Sequence, residues 1–341
     1  MTNRIIIEVT TKCNLGCKYC YHNCDSCGND IYLDLLKEII KKIKIVKKEC
    51  QVILTGGEPL CCTDISSILV ELKRNDVESI IYTNGLSLSD EMLDHFKNNG
   101  VKKIQVSLDG LNEQTNRLRN LTQEMVERIR NNIVKASIYK EFSVDISCVL
   151  SYVNYQQIGV LLDFAKENDA GVVFSFLSPE GKASESEMLP DSKHVGETLL
   201  KLDKLLPHYN LTMPSCGLGG ACPISSGKGL TPYVDYKGDV FPCIGLRGEV
   251  FCLGNVMDVG FSFDFSENLI LTRLKEILVT RGNLMKDTYC RKCFYHNSSC
   301  NGGCLSNSIV EKNNYFIQSD KCAAYDFYGK YKFIKNCFNN K

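Results

Sequence analysis

The chain has 341 residues, with 40 basic and 40 acidic side chains and a formal net charge of zero. Charges so balanced and mixed argue against a nucleic-acid or anionic-membrane partner, and the sequence holds no signal-peptide pattern and no apolar run long enough to span a bilayer. Nineteen cysteines, an odd number, point to a reducing, cytoplasmic setting and to metal ligation rather than to disulfides.

In chain order, strands are predicted at Arg4–Val9, Gln51–Leu54, Ser79–Tyr82, Lys103–Leu108, Phe142–Leu150 and Gly171–Leu177. Between them, helical periodicity runs over Leu33–Lys48, Ile65–Arg74, Asp90–Asn98, Thr122–Tyr139 and Gln156–Asn168. Strands alternating with amphipathic helices imply an α/β fold, a parallel sheet with helices outside. From about Pro207 the character changes: helical periodicity weakens, and Gly, Pro and Cys rise. One helix is expected at Leu269–Thr280 and a hairpin around Tyr233–Cys243, within an otherwise loop-rich segment that metal clusters would staple. The expected division is residues 1–206 and 207–341.

The chemistry-bearing residues sit where the predicted strands end. After strand one comes Cys13-x3-Cys17-x2-Cys20, with Tyr19 just before the third Cys. Full ligation of a 4Fe–4S cluster takes four thiolates, so a loop that supplies three leaves one iron open to a small molecule. Cys24 and Cys27 follow closely, which keeps a zinc site open as an alternative. After strand two comes Gly56-Gly57-Glu58-Pro59, whose glycines let backbone approach a ligand closely. Strand three ends in Thr83-Asn84-Gly85 and strand four in Ser107-Leu108-Asp109-Gly110. Alternation places Ser107 and Asp109 on one face. On strand five it places Asp145 and Ser147 together, with Cys148 opposite them.

A second array fills the C-terminal part: Cys216-x5-Cys222, then Cys243 within Gly238-x4-Cys243, then Cys290-x2-Cys293-x6-Cys300-x3-Cys304, and finally Cys322. Taken alone, Cys290, Cys293, Cys300 and Cys304 also read as a zinc ribbon.

The three-Cys loop and the Gly-Gly-Glu-Pro turn, in that order, resemble the signature of the radical S-adenosylmethionine (radical SAM) enzymes. The C-terminal array resembles the SPASM domain of the members that modify peptides and proteins. The resemblance implies a partial (β/α)6 parallel barrel followed by a loop-rich, cysteine-rich iron–sulfur domain. It implies a cluster on Cys13, Cys17 and Cys20 whose open iron chelates SAM and releases a 5′-deoxyadenosyl radical. SAM would be bound by Tyr19, Gly56, Gly57, Glu58, Pro59, Thr83, Asn84, Ser107, Asp109, Ser147 and Arg119, the Glu on the amino group and the Arg on the carboxylate. Arg117 competes for the Arg role, and Pro179 to Ala183 is similar to the turn that follows the last barrel strand. Two auxiliary 4Fe–4S clusters would take Cys216, Cys222, Cys243 and Cys304, and Cys290, Cys293, Cys300 and Cys322. The x6 gap departs by one residue from the usual five.

Cys61 or Cys62 is the expected hydrogen-atom donor, while Asp109, Asp145 and Tyr21 are candidates for other chemistry in the barrel interior. The resemblance favours a maturase that crosslinks a ribosomally made peptide. Partners would be the precursor peptide, a flavodoxin- or ferredoxin-type electron donor and, since strand one begins so near Met1, a separate leader-binding protein or the barrel surface itself. Sulfatase maturation, the formation of formylglycine, is a rival. Those enzymes carry an Asp base directly after the third Cys of the array, where this chain has Ile244. Tailoring of a small molecule or haem precursor is a further alternative. A non-catalytic iron–sulfur electron carrier would need no open iron.

Overall fold

The computed structural model describes residues 4–22, 24, 26–46, 50–177, 181–185, 189–211, 224, 230–284, 292–293, 304–306, 309 and 322–339. Six parallel strands form the frame: β1 Arg4–Thr10, β2 Gln51–Gly56, β3 Glu78–Thr83, β4 Val101–Ser107, β5 Ser143–Leu150 and β6 Gly171–Phe176. Helices α1 Leu33–Val46, α2 Ile65–Arg74, α3 Asp90–Asn98, α4 Gln123–Ile138 and α5 Ile158–Glu167 connect them, as the periodicity predicts. Side-chain oxygens of Ser89 and Thr122 accept from the Met92 and Met125 amides and so start α3 and α4.

Alternation sorts each strand into two faces. Ile5, Ile7, Val9, Val52, Leu54, Ile81, Ile104, Val106, Val144, Ile146, Cys148 and Leu150 point outward into one core shared with the helices. Burying such side chains is worth about 1.5–3 kcal/mol each, which fixes the register and leaves the inner face to other residues. The in-register set Glu8, Thr55, Tyr82, Gln105 and Asp145 lies on that inner face. Below it stand Ile6, Ile53 and Ile80; above it, Ser107 pairs with Ser147.

The structure departs from the sequence expectation in the C-terminal part. The hairpin β7 Tyr233–Val234 and β8 Asp239–Phe241 forms as expected, but β7 pairs in parallel with β1. With β9 Gly254–Asn255 this gives one nine-stranded sheet in the order β6-β5-β4-β3-β2-β1-β7-β8-β9, so the sheet runs across the boundary expected near residue 206. Among the described residues, α6 Ser192–Leu205 and α8 Cys322–Asn339 were not anticipated; the expected helix at 269 is α7 Leu269–Leu284. Val195 and Leu199 of α6 pack on Ala324 and Tyr328 of α8, and the Tyr328 hydroxyl donates to buried Asp203 at 2.9 Å. No described helix is long and apolar enough to cross a membrane.

Candidate active site

The cysteine loop leaves β1 and returns beside it. The Thr11 amide donates to the Asn29 carbonyl at 2.8 Å, and the Ile31 amide to Val9 at 2.9 Å, which closes the loop. Asp30 locks this closure by accepting from the Thr10 hydroxyl at 2.6 Å, Lys12 Nζ at 2.6 Å and the Thr63 amide at 3.2 Å. Burial alone would raise its pKa, but these donors hold it down to about 2.

The ends of β2, β3, β4 and β6 each contribute a pin to the loop. A Cβ at Gly56, where φ is +141°, would overlap the Thr10 carbonyl, and one at Gly57 would overlap Lys12. The Gly57 and Glu58 amides donate to those same two carbonyls at 2.8 Å. The glycines expected to admit a ligand therefore admit the loop's own stem. Asn84, after β3, donates to the Asn14 side chain at 2.7 Å. After β4, the Leu118 carbonyl accepts from the Lys18 amide at 2.7 Å, and Asn120 bonds the Gly16 carbonyl. Following β6, Gly181 sits against the Cys20 carbonyl, which also accepts from the Lys182 amide at 3.0 Å.

Glu58 is 1% exposed, and both its oxygens are engaged: Oε1 accepts from Thr83 Oγ1 at 2.7 Å and the Leu60 amide at 3.1 Å, and Oε2 from the Asn84 amide at 2.6 Å. Burial pushes its pKa up, and the Asn84, Thr83 and Leu60 donors pull it back. Its visible work is to clamp the ends of β2 and β3 together.

Asp109 is a second hub. Its Oδ1 accepts from Arg119 Nη2 at 3.0 Å and the Val149 amide at 2.9 Å. Oδ2 accepts from the Tyr19 hydroxyl and lies 3.0 Å from Arg119 Nε, off the hydrogen-bond direction. The Arg119 guanidinium also lies 5.4 Å from the Tyr19 ring centroid. Arg117, its competitor in the sequence, is exposed. A role for Asp109 as a base would require breaking one of these bonds. Cys62 is buried in the outer core, away from the inner face, and burial raises its pKa to about 11. Cys61 lies half-buried at the end of the short 3-10 turn Pro59–Cys61.

The three loop cysteines are half-buried. Cys13 Sγ accepts from the Leu15 amide at 3.4 Å, and burial raises the Cys13 pKa to about 12. A side-chain hydrogen bond from Cys24 lowers Cys20 to about 5. Among the described residues, no three potential ligands converge on a point that one metal ion could occupy. A cuboidal cluster instead spaces its thiolates around separate corners, and the soft donor set suits iron–sulfur chemistry. Of the second array, Cys243, Cys293, Cys304 and Cys322 are described, whereas Cys216, Cys222, Cys290 and Cys300 lie outside the described residues, as do Pro179 and Glu180.

A second buried polar group lies on the other side of the loop, and the sequence reading named only its Tyr21. Glu8, on the inner face of β1, is 2.9 Å from His22 Nδ1. Arg247 places Nη1 2.8 Å from the same nitrogen and donates from Nη2 to the Tyr21 carbonyl at 2.7 Å. The parity of Glu8 with Ile6 and Thr10 was a usable signal; the meeting of residues 22 and 247 was not.

The Radical SAM superfamily profile matches residues 7–165, which span the cysteine loop, the Gly-Gly turn and β1 to β5. The AdoMet-dependent heme synthase of Methanosarcina barkeri is 30% identical over 356 residues, covering 94% of this chain and 97% of that protein. This chain belongs to the radical SAM superfamily. Another relative, the GTP 3′,8-cyclase of Clostridium perfringens, is 29% identical over 69% of this chain and 73% of its own length. Among solved structures, anSMEcpe with bound AdoMet and the Cp18Cys peptide superposes with a TM-score of 0.75 at 20% identity, covering 99% of both chains. The fold is therefore the radical SAM partial barrel, and the chain is an enzyme whose family chemistry uses a 4Fe–4S cluster and SAM.

Proposed function

We propose that this enzyme is a peptide maturase that oxidises, and in doing so crosslinks, a ribosomally made peptide. In this reading Cys13, Cys17 and Cys20 hold the SAM-binding cluster. Gly56 to Pro59, Thr83, Asn84, Ser107 and Ser147, with Tyr19 and the Asp109–Arg119 pair, would hold SAM. The SPASM-type region holds one auxiliary cluster on Cys216, Cys222, Cys243 and Cys304 and another on Cys290, Cys293, Cys300 and Cys322. When bound, the SAM-loaded cluster would supply a 5′-deoxyadenosyl radical that removes one hydrogen atom from the substrate. A second hydrogen would leave as a proton and an electron, and the auxiliary cluster that Cys216, Cys222, Cys243 and Cys304 would hold is the acceptor suited to take that electron. A flavodoxin- or ferredoxin-type donor would supply the electron for SAM cleavage.

The observation that carries a peptide substrate is the chemistry of the inner wall. Tyr82, Gln105, Ser107 and Ser147 line it, half-buried, and Ser175 is exposed beside them. These are hydroxyls and an amide, suited to neutral peptide groups. Lys103 is held by Asp145 at 2.6 Å, Arg119 by Asp109 and Arg247 by His22 and the Tyr21 carbonyl. Among the described residues of this wall, the triphosphate of GTP or the carboxylates of a tetrapyrrole would have to compete for these three cations, and Arg4 at the foot of β1 is bonded to Gln51. Among the described residues strand β6 ends the sheet, with Val173 41% exposed on its inner face, so an extended chain can enter from that side.

The end-to-end similarity to a heme synthase favours tailoring of a haem precursor as a second reading. Formylglycine formation is disfavoured by Ile244, which is apolar where a base would stand. One experiment separates these. Anaerobically reconstituted enzyme is given SAM, a reductant and either a haem precursor or whichever short peptides rich in Cys, Gly or aromatic residues sequencing of the neighbouring genes reveals. The peptide reading expects a peptide lighter by two hydrogen atoms for each 5′-deoxyadenosine formed. Substrate-dependent 5′-deoxyadenosine with the haem precursor alone would reject it.

A further inference from the structure

The cysteine loop is held on one side by the barrel and on the other by a residue from far beyond it. Arg247 lies four positions after Cys243, and its mount is firm. The Leu246 amide donates to the Cys243 carbonyl at 3.2 Å, and Ser306, two residues past Cys304, donates to the Gly245 carbonyl at 2.8 Å. Leu246 itself is buried in a second core with Leu271, Leu274, Leu278 and Leu305. From this mount the guanidinium reaches the Tyr21 carbonyl and His22, one and two residues past Cys20. It stacks 5.1 Å from the Tyr21 ring and 5.6 Å from the ring of Tyr233 on β7. Glu8 closes the group from β1, and the side chains of His22 and Glu8 are 3% and 6% exposed. A buried, charged contact of this kind has one good geometry, because its members cannot be left unpaired without cost.

We propose that Arg247 is a positioning residue, a latch through which the segment bearing Cys243 and Cys304 sets the end of the SAM-cluster loop. The proposal rests on the cluster assignments above. It adds that the auxiliary-cluster region does more than accept electrons. Order at Cys243 and Cys304 places Arg247, and Arg247 places the backbone that leads out of Cys20. The arrangement makes efficient SAM cleavage depend on an intact C-terminal part even when no substrate is present.

The test uses the full chain, anaerobically reconstituted, as wild type, Arg247→Gln, Arg247→Lys and Cys243→Ala. Each is measured for iron per chain, for the EPR spectrum of the reduced protein with and without SAM, and for 5′-deoxyadenosine made from SAM alone. Arg247→Gln is expected to keep wild-type iron, to alter the SAM-induced EPR change and to slow 5′-deoxyadenosine formation about 10- to 100-fold, the equivalent of one charge-assisted hydrogen bond. Arg247→Lys, which keeps the charge but not the fork, should fall between wild type and Arg247→Gln. Cys243→Ala should lose the signal of the cluster it ligates and, in what remains, show the same altered SAM-induced change and the same slowed 5′-deoxyadenosine formation as Arg247→Gln. A wild-type spectrum and rate in Arg247→Gln would overturn the latch, as would iron loss confined to the auxiliary sites in both Arg247 variants. Wild-type iron near four atoms per chain, with the Arg247→Gln changes still present, would instead defeat the auxiliary-cluster reading and leave the latch standing.

Discussion

Replacing Asp109 with Asn perturbs the scaffold of the site most sharply. The amide keeps the shape of the carboxylate but removes its charge, and it leaves the Arg119 guanidinium, 7% exposed, without an anion. At the observed 3.0 Å the attraction is roughly 5 kcal/mol at an effective dielectric of about 20. The carboxylate's desolvation offsets part of this, and removing one member of a buried ion pair costs about 3–5 kcal/mol in net terms. The bonds from Val149 and Tyr19 to the same carboxylate place the expectation at the upper end of that range. Against a total stability of about 5–15 kcal/mol, such a loss is readily measured. Urea denaturation of the apo-protein, followed by far-UV circular dichroism, should show the midpoint falling with little change in slope. The double variant Asp109→Asn/Arg119→Met should recover at least half of the loss, because no uncompensated charge remains. A cost below about 1 kcal/mol for the single variant, the value of an exposed pair, would refute the reasoning.

Three further outcomes are expected. Asp30 is held below its ordinary value of 3.8, so its contribution is present above about pH 4 and is lost as the pH falls through about 2. Asp30→Asn should therefore cost about 1–2 kcal/mol at pH 7, with the gap to wild type closing between pH 4 and pH 2 in urea titrations. Gly57→Ala drives a methyl into the Lys12 carbonyl and should destabilise the fold by at least about 2 kcal/mol while lowering iron uptake; normal iron and stability would contradict the close approach seen there. Wild type should bind about twelve iron atoms per chain and Cys243→Ala about eight, counted after anaerobic reconstitution; equal counts would remove Cys243 from the ligand set.

Much of the barrel was legible because its signal is local. The alternation of Lys103, Ile104, Gln105, Val106 and Ser107 assigns inside and outside without reference to any other strand, and the helices between strands carry their own apolar stripe. Glycines 56 and 57 were found for the right property, close backbone approach, but what approaches is the cysteine-loop stem. Helix α6 had a cap in Asp191 and a stripe in Val195, Leu199 and Leu202, a signal that was present and missed. In α8 the stripe is carried by Ala324 and Tyr328, small and aromatic side chains that read as loop until their partner on α6 is known. The union of β7 with β1 and the meeting of Glu8, His22 and Arg247 were not legible at all. They depend on residues more than two hundred positions apart, and no local pattern encodes that distance.

The proposed chemistry depends on three thiolates of one loop holding a cluster that cleaves SAM. The most direct measurement is 5′-deoxyadenosine formed from SAM by reduced, anaerobically reconstituted protein, with Cys17→Ala in parallel. Product is expected from wild type and none from the variant, which should still retain the iron bound by the C-terminal array. Equal product from both, or none from wild type carrying its full iron, would contradict it.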